Sequence, residues 1–258
     1  MVLNQEEDNM DAMVQAANLD KAMNYVRMDG PLNAPVCFLT IEDGGSLPCN
    51  TAEEFMSKSF PPEGEAWKGT DGKPIDINPV DKPAQFMSKL MMTIFGNNMD
   101  GWQNYRDHLL CLRNELNIRF YPIARHGTAE WQAQVRDAIG LSNRKYAAHC
   151  QEMRPTIIHT KCRTAFEGKR LHIILGARSE WIDFLKRFVY SGELTCEPCH
   201  DSEQKMKYAI YRQSDKRLAF AYFDVFRRGI TITDIPEFAD ILRPLVDLEI
   251  SKQVDIRG

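Results

Sequence analysis

Pro35-Val36-Cys37-Phe38-Leu39-Thr40-Ile41 runs directly into Glu42-Asp43-Gly44-Gly45-Ser46. The first seven residues are apolar or β-branched without polar alternation, the pattern of a strand buried on both faces in a parallel sheet flanked by helices. Two carboxylates beside two glycines then predict a tight turn at the carboxyl end of that strand. In open α/β sheets this edge is where ligands bind. A carboxylate held there, next to backbone amides that glycine lets a phosphate approach, is a candidate reacting site. The simpler reading is that Glu42 and Asp43 cap the turn.

Outward from this segment, helical and extended patterns alternate. Met10, Met13, Val14, Ala17, Leu19, Ala22, Met23 and Val26 recur at helical spacing, predicting a leading helix over 7–28 within residues 1–33, stopped by Asp29-Gly30-Pro31. Residues 47–81, rich in proline, glycine and charge, read as a long functional loop or insertion. Helices are expected over 84–95 and 101–114, a second strand over 117–123, and helices over 131–139 and 143–166, the latter interrupted or restarted at Pro155. A third strand over 171–175 meets Gly176 and an amphipathic helix over 179–188. Strands over 207–212 and 218–223 and a helix over 235–250 complete the chain. This order predicts an α/β fold, a three-layer α/β/α sandwich with a central, mostly parallel sheet. No repeat or linker divides the chain, so 1–258 reads as a single domain.

Composition removes several classes. Gly and Pro together make 28 of 258 residues and 43% are hydrophobic, which excludes collagen-like and disordered chains. No apolar run approaches the roughly 18 residues of a membrane helix. The acidic start lacks the basic and apolar regions of a secretory signal, so a cytoplasmic protein with reduced thiols is expected from its seven cysteines. The net charge of −4 hides an asymmetry. Residues 1–100 carry seven Lys/Arg against 16 Asp/Glu, and residues 144–228 carry 17 against ten. The second segment suits a polyanion, or is a solvated basic face.

The motifs GxGxxG, GxxxxGK[ST], GxSxG and HExxH are absent, which removes sequence support for Rossmann dehydrogenases, P-loop NTPases, α/β-hydrolases and zincins. No histidine begins the HxE of a zinc deaminase. Cys196-Glu197-Pro198-Cys199-His200 matches CxxC and CxxCH, but a zinc site needs a second ligand pair, so loop thiols are the expectation over a structural metal.

The stretch CFLTIEDGGS resembles the first motif of the uracil-DNA glycosylase superfamily, in which a buried strand ends in an acid or Asn, commonly a Pro, and a Gly. Glu42 falls at the water-positioning place, Asp43 at the usual Pro and Gly44 at the Gly. Asn117-Ile-Arg-Phe-Tyr-Pro122 resembles the second strand, which delivers an Asn to the base. Leu171-His-Ile-Ile-Leu-Gly-Ala177 resembles the late strand and its glycine, and residues 218–229 lie where the last strand leads to the DNA-entering loop. The resemblance spans about residues 34–245. Arg119, or less directly Asn117, stands at the base-reading position, and Asp224, Arg227 and Arg228 replace the His-Pro-Ser loop. These departures point away from uracil to a different or enlarged base, such as the glucosylated hydroxymethylcytosine of phage DNA, and so to anti-phage defence.

The resemblance implies a monofunctional DNA glycosylase without cofactor or metal, monomeric, with DNA as its partner. Base excision requires flipping the nucleotide and stabilising an oxocarbenium-like sugar. Glu42 and Asp43 are the catalytic candidates, Glu42 positioning water and offsetting charge on the sugar. Phe120 or Tyr121 is expected to stack on the base, one only if strand alternation holds. Arg119 and Asn117 are expected to bind it, with His126 near the flipped nucleotide. Gly44, Gly45 and Ser46, together with Asp224, Arg227 and Arg228, are assigned to backbone phosphates. The alternatives are a uracil-excising repair enzyme, a non-catalytic nucleic-acid-binding protein on the same scaffold, and a nucleotide-processing enzyme holding Mg²⁺ on Glu42 and Asp43.

Overall fold

A computed structural model of the protein describes residues 2–41, 49–60, 82–111, 114–123, 131–167, 171–176, 178–190, 194–200, 206–213, 216–223 and 232–246. In chain order the elements are α1 (Val2–Asn24), β1 (Met28–Asp29), β2 (Val36–Thr40), α2 (Ala52–Ser59), α3 (Lys82–Ile94), α4 (Trp102–His108), β3 (Glu115–Arg119), α5 (Ala133–Ile139), α6 (Asn143–Lys161), α7 (Arg163–Phe166), β4 (Leu171–Leu175), α8 (Arg178–Phe188), β5 (Leu194–His200), β6 (Met206–Gln213), β7 (Lys216–Phe223) and α9 (Ile235–Leu242). The fold is mixed α/β. The elements fall into two compact units, one drawn from residues 1–27, 42–68 and 119–161, the other from 28–41, 69–118 and 162–258. Each unit is assembled from three separated segments, so no single linker marks the division.

The second unit holds the sheet, in the order β1-β3-β2-β4-β7-β6-β5. β2 and β4 are buried at all five positions, as unalternating apolar runs must be, and pair in parallel from Val36 opposite Leu171 to Thr40 opposite Leu175. β7 continues the parallel array beside β4. On the other side, Val36 N donates to Asn114 O at 3.2 Å while Thr40 Oγ1 donates to Asn117 Oδ1 at 2.8 Å, so β3 runs in the same sense as β2. Both margins are antiparallel: β1 pairs with β3, and β6 and β5 extend beyond β7. The sheet is therefore mixed rather than mostly parallel. Two residues between β6 and β7 leave room only for a hairpin, whereas a parallel connection needs a crossover.

Several elements differ from expectation. The second strand is 115–119 and not 117–123, because the carbonyls of Arg119 and Phe120 turn to accept from the Arg154 guanidinium and Pro122 follows. α6 passes through Pro155 unbroken to Lys161, a single lost backbone bond beside the firmly anchored Arg154. α9 stops at Leu242 in a 3₁₀ turn containing Pro244. The 47–81 stretch contains α2, whose cap Thr51 accepts from Glu54 N at 3.1 Å. The CxxCH motif lies in β5, not in a loop. An extended chain sets residues three apart at about 10 Å, too far for two thiolates each about 2.3 Å from one zinc.

The first unit is helical. α1 packs on α5 and α6, and α2 on α5. Its centre is Arg154, fully buried, whose guanidinium donates to Met23 O at 2.8 Å, Tyr25 O at 2.7 Å, Phe120 O at 2.9 Å and Arg119 O at 3.2 Å.

Candidate functional site

From β2 the chain moves outward to β3 on one side, then returns past β2 to β4 and β7 on the other. The topological switch point therefore lies between the carboxyl ends of β2 and β4, the place where open α/β sheets bind ligands. β2 ends there at Thr40 and the chain proceeds through Ile41 to Glu42. β4 ends at Leu175 and turns at Gly176, whose φ of +90° favours glycine.

This edge carries a buried polar row. Thr40 Oγ1 donates to Asn117 Oδ1 at 2.8 Å, and Asn117 Nδ2 donates to Asp29 Oδ2 at 3.3 Å, linking β2, β3 and β1. Asp29 and Asn117 are cross-strand partners. Thr40, Asn117 and Asp29 are all buried, so each bond is stronger than in water and leaving one unmade would be costly. Trp181 of α8, fully buried, donates Nε1 to Thr40 O at 2.9 Å. The last residue of β2 is thus fastened through both its hydroxyl and its carbonyl. This fixes the point from which the chain leaves toward Glu42 and fixes the Asn117 amide in one orientation.

The amino end of β3 carries a different cluster. Glu115 is fully buried, with Tyr105 OH donating to Oε1 and Cys111 N to Oε2 at 3.0 Å. Burial pushes its carboxyl up to about 7, a rise that the two donors oppose. Burial and the adjacent carboxylate raise the Tyr105 hydroxyl as well. Cys111 adopts φ +61°, and at Gly30, φ +115°, a Cβ would collide with the carbonyl oxygens of Glu115 and Cys111. The cluster sits at the end of the strand remote from the ligand-binding edge, and it fastens the turn between α4 and β3.

Of the residues expected from sequence, Asn117 lies in the polar row. Arg119 is the last residue of β3, half-buried, its backbone N donating to Arg27 O at 3.3 Å. Phe120 and Tyr121 follow the strand, so alternation does not separate them. Both rings are 1% exposed and meet edge to face at 5.0 Å. A base stacks on either only if this segment opens. Glu42, Asp43, Gly44, Gly45, Ser46, His126, Asp224, Arg227 and Arg228 lie outside the described residues. Sequence reasoning missed Asp29, Thr40, Trp181 and Arg154. Asp29 read as a helix stop and Arg154 as one more charge on a helix. Among the described residues no three His, Cys, Asp or Glu gather as a metal site, and no helix is long and apolar enough to cross a membrane.

Neither a protein-family model nor a curated protein nor a solved structure matches this chain.

Proposed function

We propose that this chain is a monofunctional, cytoplasmic DNA glycosylase with the α/β/α sandwich of the uracil-DNA glycosylase superfamily, excising a non-standard or modified base. The observation that carries the reading is the switch point. The strand leading into Glu42-Asp43-Gly44 ends beside it, and the neighbouring strand brings a fixed Asn117 amide to the same edge. The resemblance asks for such a pair at this edge, a carboxylate for water and sugar and an amide for the base.

In this mechanism Glu42, ionised, orients a water for attack on the sugar and offsets the positive charge that develops as the C–N bond breaks. The base departs with the bonding electron pair, is protonated, and leaves an abasic site. Arg119 supplies up to five donors to the departing base or to a sugar attached to it. Gly44, Gly45, Ser46, Arg227 and Arg228 hold the DNA backbone. No lysine stands at a motif position to form a Schiff base, so hydrolysis is favoured over strand cleavage by the enzyme itself.

Incubation with duplexes carrying uracil, hydroxymethylcytosine or glucosylated hydroxymethylcytosine, followed by alkali, is expected to cleave at one of the modified bases. Intact strands on all three reject the reading. Glu42→Gln is expected to lower turnover by at least ~10³-fold while leaving DNA affinity unchanged. A fully active variant rejects the mechanism. Commitment of the Asn117 amide to Thr40 and Asp29, with both aromatic rings buried, favours a second reading, non-catalytic nucleic-acid binding. That reading predicts salt-sensitive binding without base release.

A further inference from the structure

Lys89 of α3 and Arg106 of α4, both in the second unit, bring two cations to one indole. The Lys89 ammonium stands 4.9 Å from the centroid of the Trp102 ring, and the Arg106 guanidinium carbon 5.2 Å from it. Both side chains are largely withdrawn from water: Lys89 is 8% exposed and the Arg106 side chain 10%. Trp102 and Arg106 are one turn apart on α4 and share a face, and Lys89 reaches the same ring from α3. The helices approach closely here, since a Cβ at Gly101 would meet Met92 Cε of α3 at 3.2 Å.

One carboxylate answers these two charges. Arg106 Nε donates to Asp107 Oδ1 at 2.6 Å, and the Asp107 side chain is 44% exposed. Among the described residues nothing accepts from the Lys89 ammonium, from the two Nη groups of Arg106 or from Trp102 Nε1. Burial lowers the Lys89 pKa from the ordinary lysine value, a shift that no described carboxylate opposes. A cation kept from water costs stability unless it is paired. The indole face compensates in part, but it uses none of the N–H donors. Three on Lys89, four on the Nη groups of Arg106 and one on Trp102 are left around a single ring.

We infer that Lys89, Arg106 and Trp102 form a binding site for a phosphate group, carried by a free phosphate ester or by a nucleic-acid backbone. The paired Nη donors of Arg106 match two phosphate oxygens, Lys89 supplies a point charge to a third, and the uncompensated positive charge favours a dianion over a carboxylate. The ring already holds two cations, so the phosphate is the group recognised and not an attached base. Tyr105, between Trp102 and Arg106 in sequence, bonds Glu115 at the amino end of β3. The site thus lies away from the carboxyl edge of the sheet, and the inference does not rest on the glycosylase reading.

A ¹⁵N–¹H spectrum of the full chain follows the indole resonances of its four tryptophans, with that of Trp102 assigned by its loss in Trp102→Phe. Sodium phosphate added to ~50 mM at constant ionic strength is expected to move the Trp102 resonance with a midpoint of about 1 mM, while sodium acetate leaves it fixed. Thymidine 5′-monophosphate is expected to act as phosphate does, and thymidine not at all. Lys89→Met and Arg106→Gln are each expected to weaken phosphate binding at least ~10-fold with an unchanged circular dichroism spectrum. Lys89→Met, which keeps the apolar stem and removes a buried charge, is expected to leave the thermal midpoint undiminished. A short thymidylate strand that binds more tightly than the mononucleotide, and loses that advantage in Lys89→Met, identifies the backbone as the source; equal binding identifies a free ester. A Trp102 resonance unmoved by phosphate, one moved equally by acetate, or binding that both variants retain overturns the inference.

Discussion

Arg154 and Glu115 are both fully buried and carry opposite formal charges, yet burial acts on them differently. Arg154 cannot shed its proton in a protein. The first unit answers with four backbone carbonyls, which join the end of α1 to the segment after β3. Glu115 can neutralise itself, and burial in the second unit pushes its carboxyl up to about 7 against the opposing donors, Tyr105 OH and Cys111 N. A buried group that must stay charged becomes a permanent brace. One that can lose its charge becomes a brace whose strength depends on pH.

The sharpest way to break the contrast is Arg154→Met. Orphaning four carbonyls, two of them buried and two part-buried, is expected to destabilise the protein by about 4 kcal/mol, lowering the thermal midpoint by roughly 10 °C. The loss should be the same at every pH between about 5 and 8. A midpoint shift of only a few degrees would mean that the carbonyls find other partners.

Glu115 should behave in the opposite manner. It holds its proton more tightly when folded, near pH 7, than at the ordinary 4.5. Its contribution is therefore fully present below pH 4.5, declines as pH rises and is lost above 7, a change of about 3 kcal/mol. Urea unfolding at intervals across that range should show this decline, and Glu115→Gln should flatten it. An unchanged slope in the variant would assign the pH dependence to other groups.

The smallest effect sharpens the comparison. Tyr105→Phe removes a donor to the ionised carboxylate, so it should destabilise by about 2 kcal/mol above pH 7 and by less below it. It should also move the decline to higher pH. An equal loss at all pH values would show that the Tyr105 hydroxyl does not distinguish the two states of Glu115.

How much of this was legible depended on how many neighbours each element has. β2 and β4 are flanked on both sides in the sheet and buried at every position, so an unbroken apolar run marked them, and 171–175 matched at both ends. β5 is an edge strand, exposed from Thr195 to Pro198 and containing a proline, and it leaves no apolar alternation to read. α2 was hidden in a proline-rich stretch although Thr51-Ala-Glu-Glu54 is a helix-start signal. The periodicity of α1 was visible, but its apolar residues occupy two opposite faces, and spacing alone does not say which face is covered. Within the site, Asn117 was visible as a polar residue in an apolar strand. Its partners Thr40 and Asp29 lie 77 and 88 residues away, and only the pairing of strands reveals them.

The three-segment construction of the helical unit also bears on how it is made. Met23 and Arg154 are separated by 131 residues. At a synthesis rate of about 5–20 residues per second, α1 leaves the ribosome on the order of ten seconds before the side chain that anchors its end has been added. For that time Ala22 and Met23, buried in the folded unit, have no Arg154 beside them to hold the Met23 carbonyl. A unit built on helices usually assembles fast from local contacts; this one has to wait for translation.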